Sequence, residues 1–230
     1  SFDWGSAKPF SCGWWAVSDG SMPEFPTGAL IRYREWYGAS GTNTGLKMDA
    51  ESVGRGIAER SIMKLNDGHV IKEEYSYSVL DPAAFATNGG PSIAEMLIKG
   101  GAAFGRADNT RVAQRGAMSG WDQVRRRLKG DGDGRAMIFF FTTCVDSIRT
   151  IPVLQHDRDR PEDLDTDMED HAADDVRYAC NSRPWLPTAP PEKPKPFTYV
   201  AEQLADGTTR VQSTISINDI IKRANRKNGQ

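Results

Sequence analysis

Cysteine and histidine are scarce in this 230-residue chain, with three of each. Cys12, Cys144 and Cys180 lie far apart without C-x-x-C spacing, and an odd count leaves one unpaired. Neither a disulfide framework nor a structural zinc site is expected, and a reducing cytosol is the simplest setting. His69, His156 and His171 are too scattered to suggest a nucleophilic triad. No apolar run approaches the ~18 residues of a membrane span. The most apolar stretch, RAMIFFFTTCV from Arg135 to Val145, has strand length and is rich in β-formers. The start carries no signal-peptide pattern. The phosphate-binding pattern G-x-x-x-x-G-K-[ST] is also missing, since GSAKPFS near the start is too short and lacks the leading glycine spacing. No ATP hydrolysis is therefore expected from these residues.

What is present suffices for a core, because 38% of the residues are hydrophobic. The length suits one large domain, or one domain with extensions. The chain opens SFDWG, without Met and inside an expected strand, which has the look of a piece cut from a longer protein. The net charge of −2 gives no overall bias toward nucleic acid, but its distribution is uneven. From Asp157 to Asp175 there are ten acids against two bases, a local charge of −8 that leaves +6 on the rest. That pattern fits a site holding cations beside a phosphate backbone, and equally an ordinary acidic loop.

The β-forming stretches SFDWG, FSCGWWAVSD and ALIRYREWYG, joined by short turns, predict a three-stranded antiparallel meander. MDAESVGRGIAERSIMKL predicts a helix capped by Asp49, with Val53, Ile57 and Leu65 at helical spacing and NDG as its stop. YSYSVLDP reads as a strand ending at Asp81-Pro82, and PSIAEMLIKGG as a helix with Pro at its start and Gly at its end. GWDQVRRRLKGDGDG is helical, AMIFFFTT a strand buried on both faces, and CVDSIRTIPVL a short helix. MEDHAADDVRYA follows the acidic loop as a further helix. The order β-β-β-α-β-α-α-β-α-α implies an α/β fold, a mixed central sheet flanked by helices, spanning residues 1–183. Residues 184–230 read as a proline-rich extension (RPWLPTAPPEKPKPF) and a basic tail that forms one terminal helix.

Acids at element ends are the candidates for chemistry. Asp3 ends the first strand and Asp81 the fourth, where α/β folds tend to build active sites. Asp170 and Asp174, four apart in the last helix, share a face, and Ala172, Val176, Ala179 and Cys180 form its apolar stripe. The small alanines let the backbone approach the sheet, bringing short carboxylates near the strand ends. Clustered carboxylates are costly unless cations neutralise them, and oxygen ligands suit magnesium or manganese. His171 reads as a supporting group, with a place in a manganese shell as the alternative. Each acid also has a plainer reading: Asp3 as a turn residue, Asp81-Pro82 as a turn initiator, Asp170 as a helix-start acid. Glu169 and Asp175 are expected to be supporting or solvated. Lys8, Lys47, Arg111, Arg125, Arg126 and Arg127 are candidates for backbone phosphate contacts, with RRRL readable equally as a solvated helix face.

Five ordered blocks carry a family resemblance: DWGSAKPFSCGWWAVSDG, VLDPAAFATNGGPSIAEML, GRADNTRVAQRGAMSGWDQVRRRL, IFFFTTCVDSIRTIPVLQHD and PEDLDTDMEDHAADDVRYAC. Together the sequence from Phe2 to about Tyr178 resembles the C-terminal nuclease domain of the large terminase subunits of tailed bacteriophages. The resemblance implies an RNase H-like fold with three antiparallel strands first. It implies metal-binding acids at Asp3, at Asp81 and within Asp170–Asp174. Many relatives carry tandem Asp at the helix start, where this chain has Asp170-His171. The related Holliday-junction resolvases carry an Asp- or His-Ala-Ala-Asp pattern, here His171-Ala172-Ala173-Asp174, so Asp170 and Asp174 both stay candidates. The implied activity is endonucleolytic cutting of concatemeric DNA by two-metal phosphodiester hydrolysis, with two Mg2+ or Mn2+ ions. Double-stranded DNA, a small terminase subunit and the portal or procapsid are the implied partners, the host cytoplasm the implied location, and a packaging ATPase domain is expected before Ser1. The alternatives are another RNase H-like nuclease, such as a resolvase or integrase, and a non-catalytic DNA- or capsid-docking module.

Overall fold

The computed structural model describes residues 1–87, 89–113, 120–186 and 199–213. Its strands are β1 (Phe2–Asp3), β2 (Ser11–Val17), β3 (Leu30–Tyr37), β4 (Ala39–Gly41), β5 (Thr44–Gly45), β6 (Ile62–Lys64), β7 (Val70–Lys72), β8 (Val79–Leu80), β9 (Gly105–Arg106), β10 (Ile138–Phe140), β11 (Tyr199–Gln203) and β12 (Thr209–Ser213). Its α-helices are α1 (Ala50–Arg60), α2 (Ile93–Lys99), α3 (Gly120–Lys129), α4 (Val145–Thr150) and α5 (His171–Ser182). By internal contacts the chain divides into units Ser1–Thr188 and Ala189–Gln230.

The first unit is organised by a six-stranded sheet in the order β10-β3-β2-β1-β8-β9. β1, β2 and β3 run antiparallel in succession, β8 is parallel to β1, and β9 is parallel to β8. β10 adds to the far edge parallel to β3. This is an α/β, RNase H-like sheet with its three antiparallel strands first and helices on both faces. The feature that positions the site is the β1–β8 pair. Phe2 stands opposite Leu80, so the next residue on each strand, Asp3 and Asp81, emerges at the same edge.

Two apolar layers hold the helices to the sheet. On one face Phe2, Phe10, Cys12, Trp14 and Leu80 pack with Val53, Ile57, Ala94 and Leu97 of α1 and α2. Full burial of side chains this size contributes about 1.5–3 kcal/mol each. Gly54 permits the closest approach of the two helices: a Cβ there would lie 2.4 Å from the Leu97 carbonyl oxygen. On the other face Leu30 and Ile138 meet Val176 and Cys180 of α5, with Trp15, Val124 and Phe140 around them. The stripe of Ala172, Val176, Ala179 and Cys180 is buried, as its spacing predicts.

Several elements differ from the sequence expectation. α1 is capped by Asp49, which accepts the Ser52 N–H at 2.8 Å, but it stops at Arg60 rather than at NDG. β6 and β7 instead form a hairpin around NDG, closed by Leu65 N–H to the His69 carbonyl at 2.8 Å with Gly68 at φ 86°. Leu65 is accordingly 38% exposed and outside the helical stripe. β10 is not buried on both faces: among the described residues it is an edge strand paired to β3, with Phe141 just beyond it 47% exposed. Pro91 precedes the α2 cap rather than entering the helix, and Ser92 and Glu95 form a capping box. β9, from the GRADN stretch, had no strand signal.

In the second unit β11 and β12 pair antiparallel across Leu204–Gly207, where an extended or helical tail was expected. Most of the proline-rich stretch (187–198) and the expected terminal helix (214–230) lie outside the described residues.

Candidate active site

Asp3 and Asp81 leave adjacent parallel strands side by side, since neighbouring strands lie about 4.7–4.9 Å apart. The Asp81 N–H donates to the Phe2 carbonyl at 3.2 Å. The Asp81 carboxylate accepts the Ala83 N–H at 3.2 Å and so caps the short 3₁₀ turn Pro82–Phe85. Asp3 is 6% exposed. Its Oδ2 meets His171 Nδ1 at 3.2 Å, and the Tyr178 hydroxyl donates to its Oδ1 at 3.4 Å.

α5 brings the remaining acids. Asp170 is its N-cap residue, yet the carboxylate makes no cap hydrogen bond, and the residue is also 6% exposed. One turn on, the Asp174 N–H donates to the Asp170 carbonyl at 3.0 Å, which places both acids on one face. Their partners differ. Asp174 is gripped by two guanidiniums: Arg111 Nη1 reaches its oxygens at 2.9 and 2.8 Å, and Arg177 Nε and Nη2 reach Oδ1 at 3.1 and 2.9 Å. Among the described residues the guanidinium nearest Asp170 is Arg111, Nη2 at 3.8 Å, and the His171 imidazole also acts on its charge.

The electrostatics follow this division. Burial pushes the Asp3 carboxyl up to about 7, with the His171 hydrogen bond opposing and the Asp174 and Asp81 charges adding to the rise. Burial, and then the Asp174 charge, push Asp170 up to about 6. Burial works to lower His171, but its pKa is raised because the Asp3 hydrogen bond and the charges of Asp3, Asp170 and Asp174 outweigh it. The site thus contains two buried carboxylates short of positive charge. Among the described residues, no three His, Cys, Asp or Glu side chains stand ready as placed to enclose one metal ion. The donor set nonetheless fits a hard divalent cation, because it consists of carboxylate oxygens whose ionised forms lack compensation.

The predicted basic residues separate into groups. Lys8 and Lys47 are exposed and close in space, on segments tied together by Gly45 N–H to the Ala7 carbonyl and Lys47 N–H to the Ser6 carbonyl. Arg125 is exposed on α3, 3.7 Å from Asp122, and Arg126 is half-buried. Arg127 is not available to phosphate. It is fully buried, donating to the carbonyls of Gly28, Met137 and Arg183, because it faces the sheet from the inner side of α3. Arg111 points inward to carboxylates rather than outward to solvent. Asp175 is not solvated either: it is fully buried, 2.7 Å from Arg32 Nη1 and accepting from Ser11 and Ser1 hydroxyls. Glu169 pairs with Arg149 and accepts from the Tyr37 hydroxyl.

Sequence reasoning missed Asp163, Arg177 and Tyr178. The last two carried a signal, lying three and four residues beyond Asp174 on its own helix face. Asp163 had none among the ten acids around it. It accepts from Trp121 Nε1 at 2.7 Å, Arg111 Nε at 2.8 Å and the Leu164 N–H at 2.8 Å. Those partners hold its pKa below the usual range although burial works the other way.

Fold and site together define an α/β protein of RNase H-like topology with buried acids gathered at the ends of two central parallel strands. No protein-family model and no curated protein matches the chain. Among solved structures it is similar to the P22 large terminase nuclease domain, at 15% identity and a TM-score of 0.46, over 79% of this chain and 78% of that one.

Proposed function

We propose that this chain is a metal-dependent DNA endonuclease, the nuclease domain of a viral DNA-packaging terminase. The observation that carries the reading is the pairing of Asp3 and Asp81 at adjacent strand ends, with Asp174 close enough to act on the Asp3 charge and Asp170 one turn before it, Asp3 and Asp170 both being buried. The five sequence blocks supply the packaging context.

Asp3, Asp81 and Asp170 are the residues that would hold the ions. Two divalent cations, Mg2+ or Mn2+, would when bound activate a water and offset charge on the leaving 3′ oxygen. His171 orients the Asp3 carboxylate through its 3.2 Å contact, and Tyr178 braces the other oxygen. Asp174, engaged by Arg111 and Arg177, serves as an anchor that fixes α5 rather than as a ligand. Lys8, Lys47, Arg125 and Arg126 are assigned to the DNA backbone, where contacts position the duplex without reading sequence. Concatemeric double-stranded DNA as substrate, a small terminase subunit and a procapsid as partners, and the host cytoplasm as the place of action complete the proposal.

Plasmid cleavage with Mg2+, Mn2+ or EDTA tests it. Cleavage should require metal and fall by at least about a hundredfold in Asp3→Ala and Asp81→Ala, the scale of losing a metal-based activation. Full activity in both variants would refute the site. Asp170→Ala should abolish cleavage, while Asp174→Asn should retain part of it.

A further inference from the structure

Among the described residues, Arg111 is the guanidinium that reaches three of the acids around the site. Asp163 fixes it from one side, taking Nε at 2.8 and 3.1 Å, and is itself held by Trp121 and the Leu164 amide. Asp174 takes Nη1. The guanidinium carbon lies 5.1 Å from the Trp121 ring centre, which restrains the plane of the fork. The third nitrogen, Nη2, is buried without a hydrogen-bond partner and stands 3.8 Å from Asp170 Oδ2. A guanidinium stays charged under all ordinary conditions and its fork is rigid. A permanent positive charge is therefore aimed at Asp170 by groups on the other two edges of the fork.

We propose that Arg111 is a resident cation of the acid cluster, aimed by Asp163, whose charge holds down the cluster's affinity for divalent ions. This rests on the metal reading of the site given above and adds its regulation. The charge partly satisfies Asp170 and repels an arriving cation, so the acids can stay together without metal and bind it only at moderate strength. Asp163 is the positioning residue, because it sets where the charge sits without touching the cluster itself.

Calorimetric titration of Mn2+ into the full chain at constant pH tests this, with a thermal melt for each variant. Arg111→Gln should bind Mn2+ at least about tenfold more tightly, the scale of one unit charge a few ångströms from a divalent ion even when screened as in water. Arg111→Lys, which keeps the charge, should bind no more tightly than the wild type. Asp163→Asn, which keeps Arg111 but releases its aim, should tighten binding too, by less than Arg111→Gln does. Unchanged or weaker binding in Arg111→Gln overturns the inference and leaves the nuclease reading standing. Unchanged or weaker binding in Asp163→Asn overturns the positioning role given to Asp163. If Arg111→Gln does not fold, tighter binding by Arg111→Lys still overturns it. A wild-type chain that binds no Mn2+ overturns the metal site and this inference together.

Discussion

Replacing Asp3 by Asn should stabilise the metal-free protein at pH 8 while removing its proposed activity. The Asp3 carboxyl rises from 3.8 to about 7 on folding. Between those values the native state holds a proton that the unfolded chain has released, so stability falls as pH rises and levels off above pH 7. At about 1.4 kcal/mol per unit, the buried anion costs the fold at most about 4 kcal/mol at pH 8. Asn carries no charge, and the rise to about 7 already nets the His171 hydrogen bond against burial. The gain at pH 8 is therefore up to about 4 kcal/mol, a rise of several °C in the midpoint for a chain of this size. Differential scanning calorimetry in EDTA at pH 8 and pH 5 reads the result. At pH 5 native Asp3 keeps its proton but the unfolded chain has already lost its own, so the gain should shrink to about 1–2 kcal/mol. Saturating Mn2+ should then raise the wild-type midpoint at pH 8 more than that of the variant. An Asp3→Asn midpoint lower than wild type at pH 8, and no better than at pH 5, would refute the claim that Asp3 is an uncompensated buried anion.

Asp175→Asn should cost about 3–5 kcal/mol in urea unfolding, because it removes the closer of the two carboxylates facing the fully buried Arg32 guanidinium and leaves Glu35 at 3.6 Å. Gly54→Ala should destabilise by about 1–3 kcal/mol, since its Cβ would press on the Leu97 carbonyl oxygen, a backbone atom that cannot rotate away. Arg125→Ala and Arg126→Ala should each lower the slope of log affinity for DNA against log salt by about one, as loss of a phosphate contact does. Arg127→Lys should leave that slope unchanged and lower the melting midpoint instead, because Arg127 spends its donors on buried carbonyls.

The sheet was readable because its signals are local. Strand-length β-forming runs with short turns define β2 and β3, and Asp49 marks the start of α1 with a short polar cap. The positions of Asp3 and Asp81 followed from strand ends, which the sequence marks with Gly5 and Pro82. Other features depend on neighbours that no local pattern names. AMIFFFTT has the composition of a central strand, but among the described residues β10 pairs on one side only. RRRL spans an α3 surface with Arg125 outward and Arg127 inward, a division set by where the helix meets the sheet. Asp170 and Asp174 share a face in the sequence, and what tells them apart is Arg177 beside Asp174 together with Arg111, which arrives from a segment about sixty residues earlier in the chain.

The Asp174-Asp175 pair has a consequence for anyone aligning or redesigning this segment. The two acids read as one doublet, yet Asp174 belongs to the arginines on the site side and Asp175 to Arg32 beneath the sheet. A shift of one residue would exchange a keel for a rudder. The correct frame for comparing this helix with any other is therefore the position that answers Arg32, and the acids of the site should be counted outward from it.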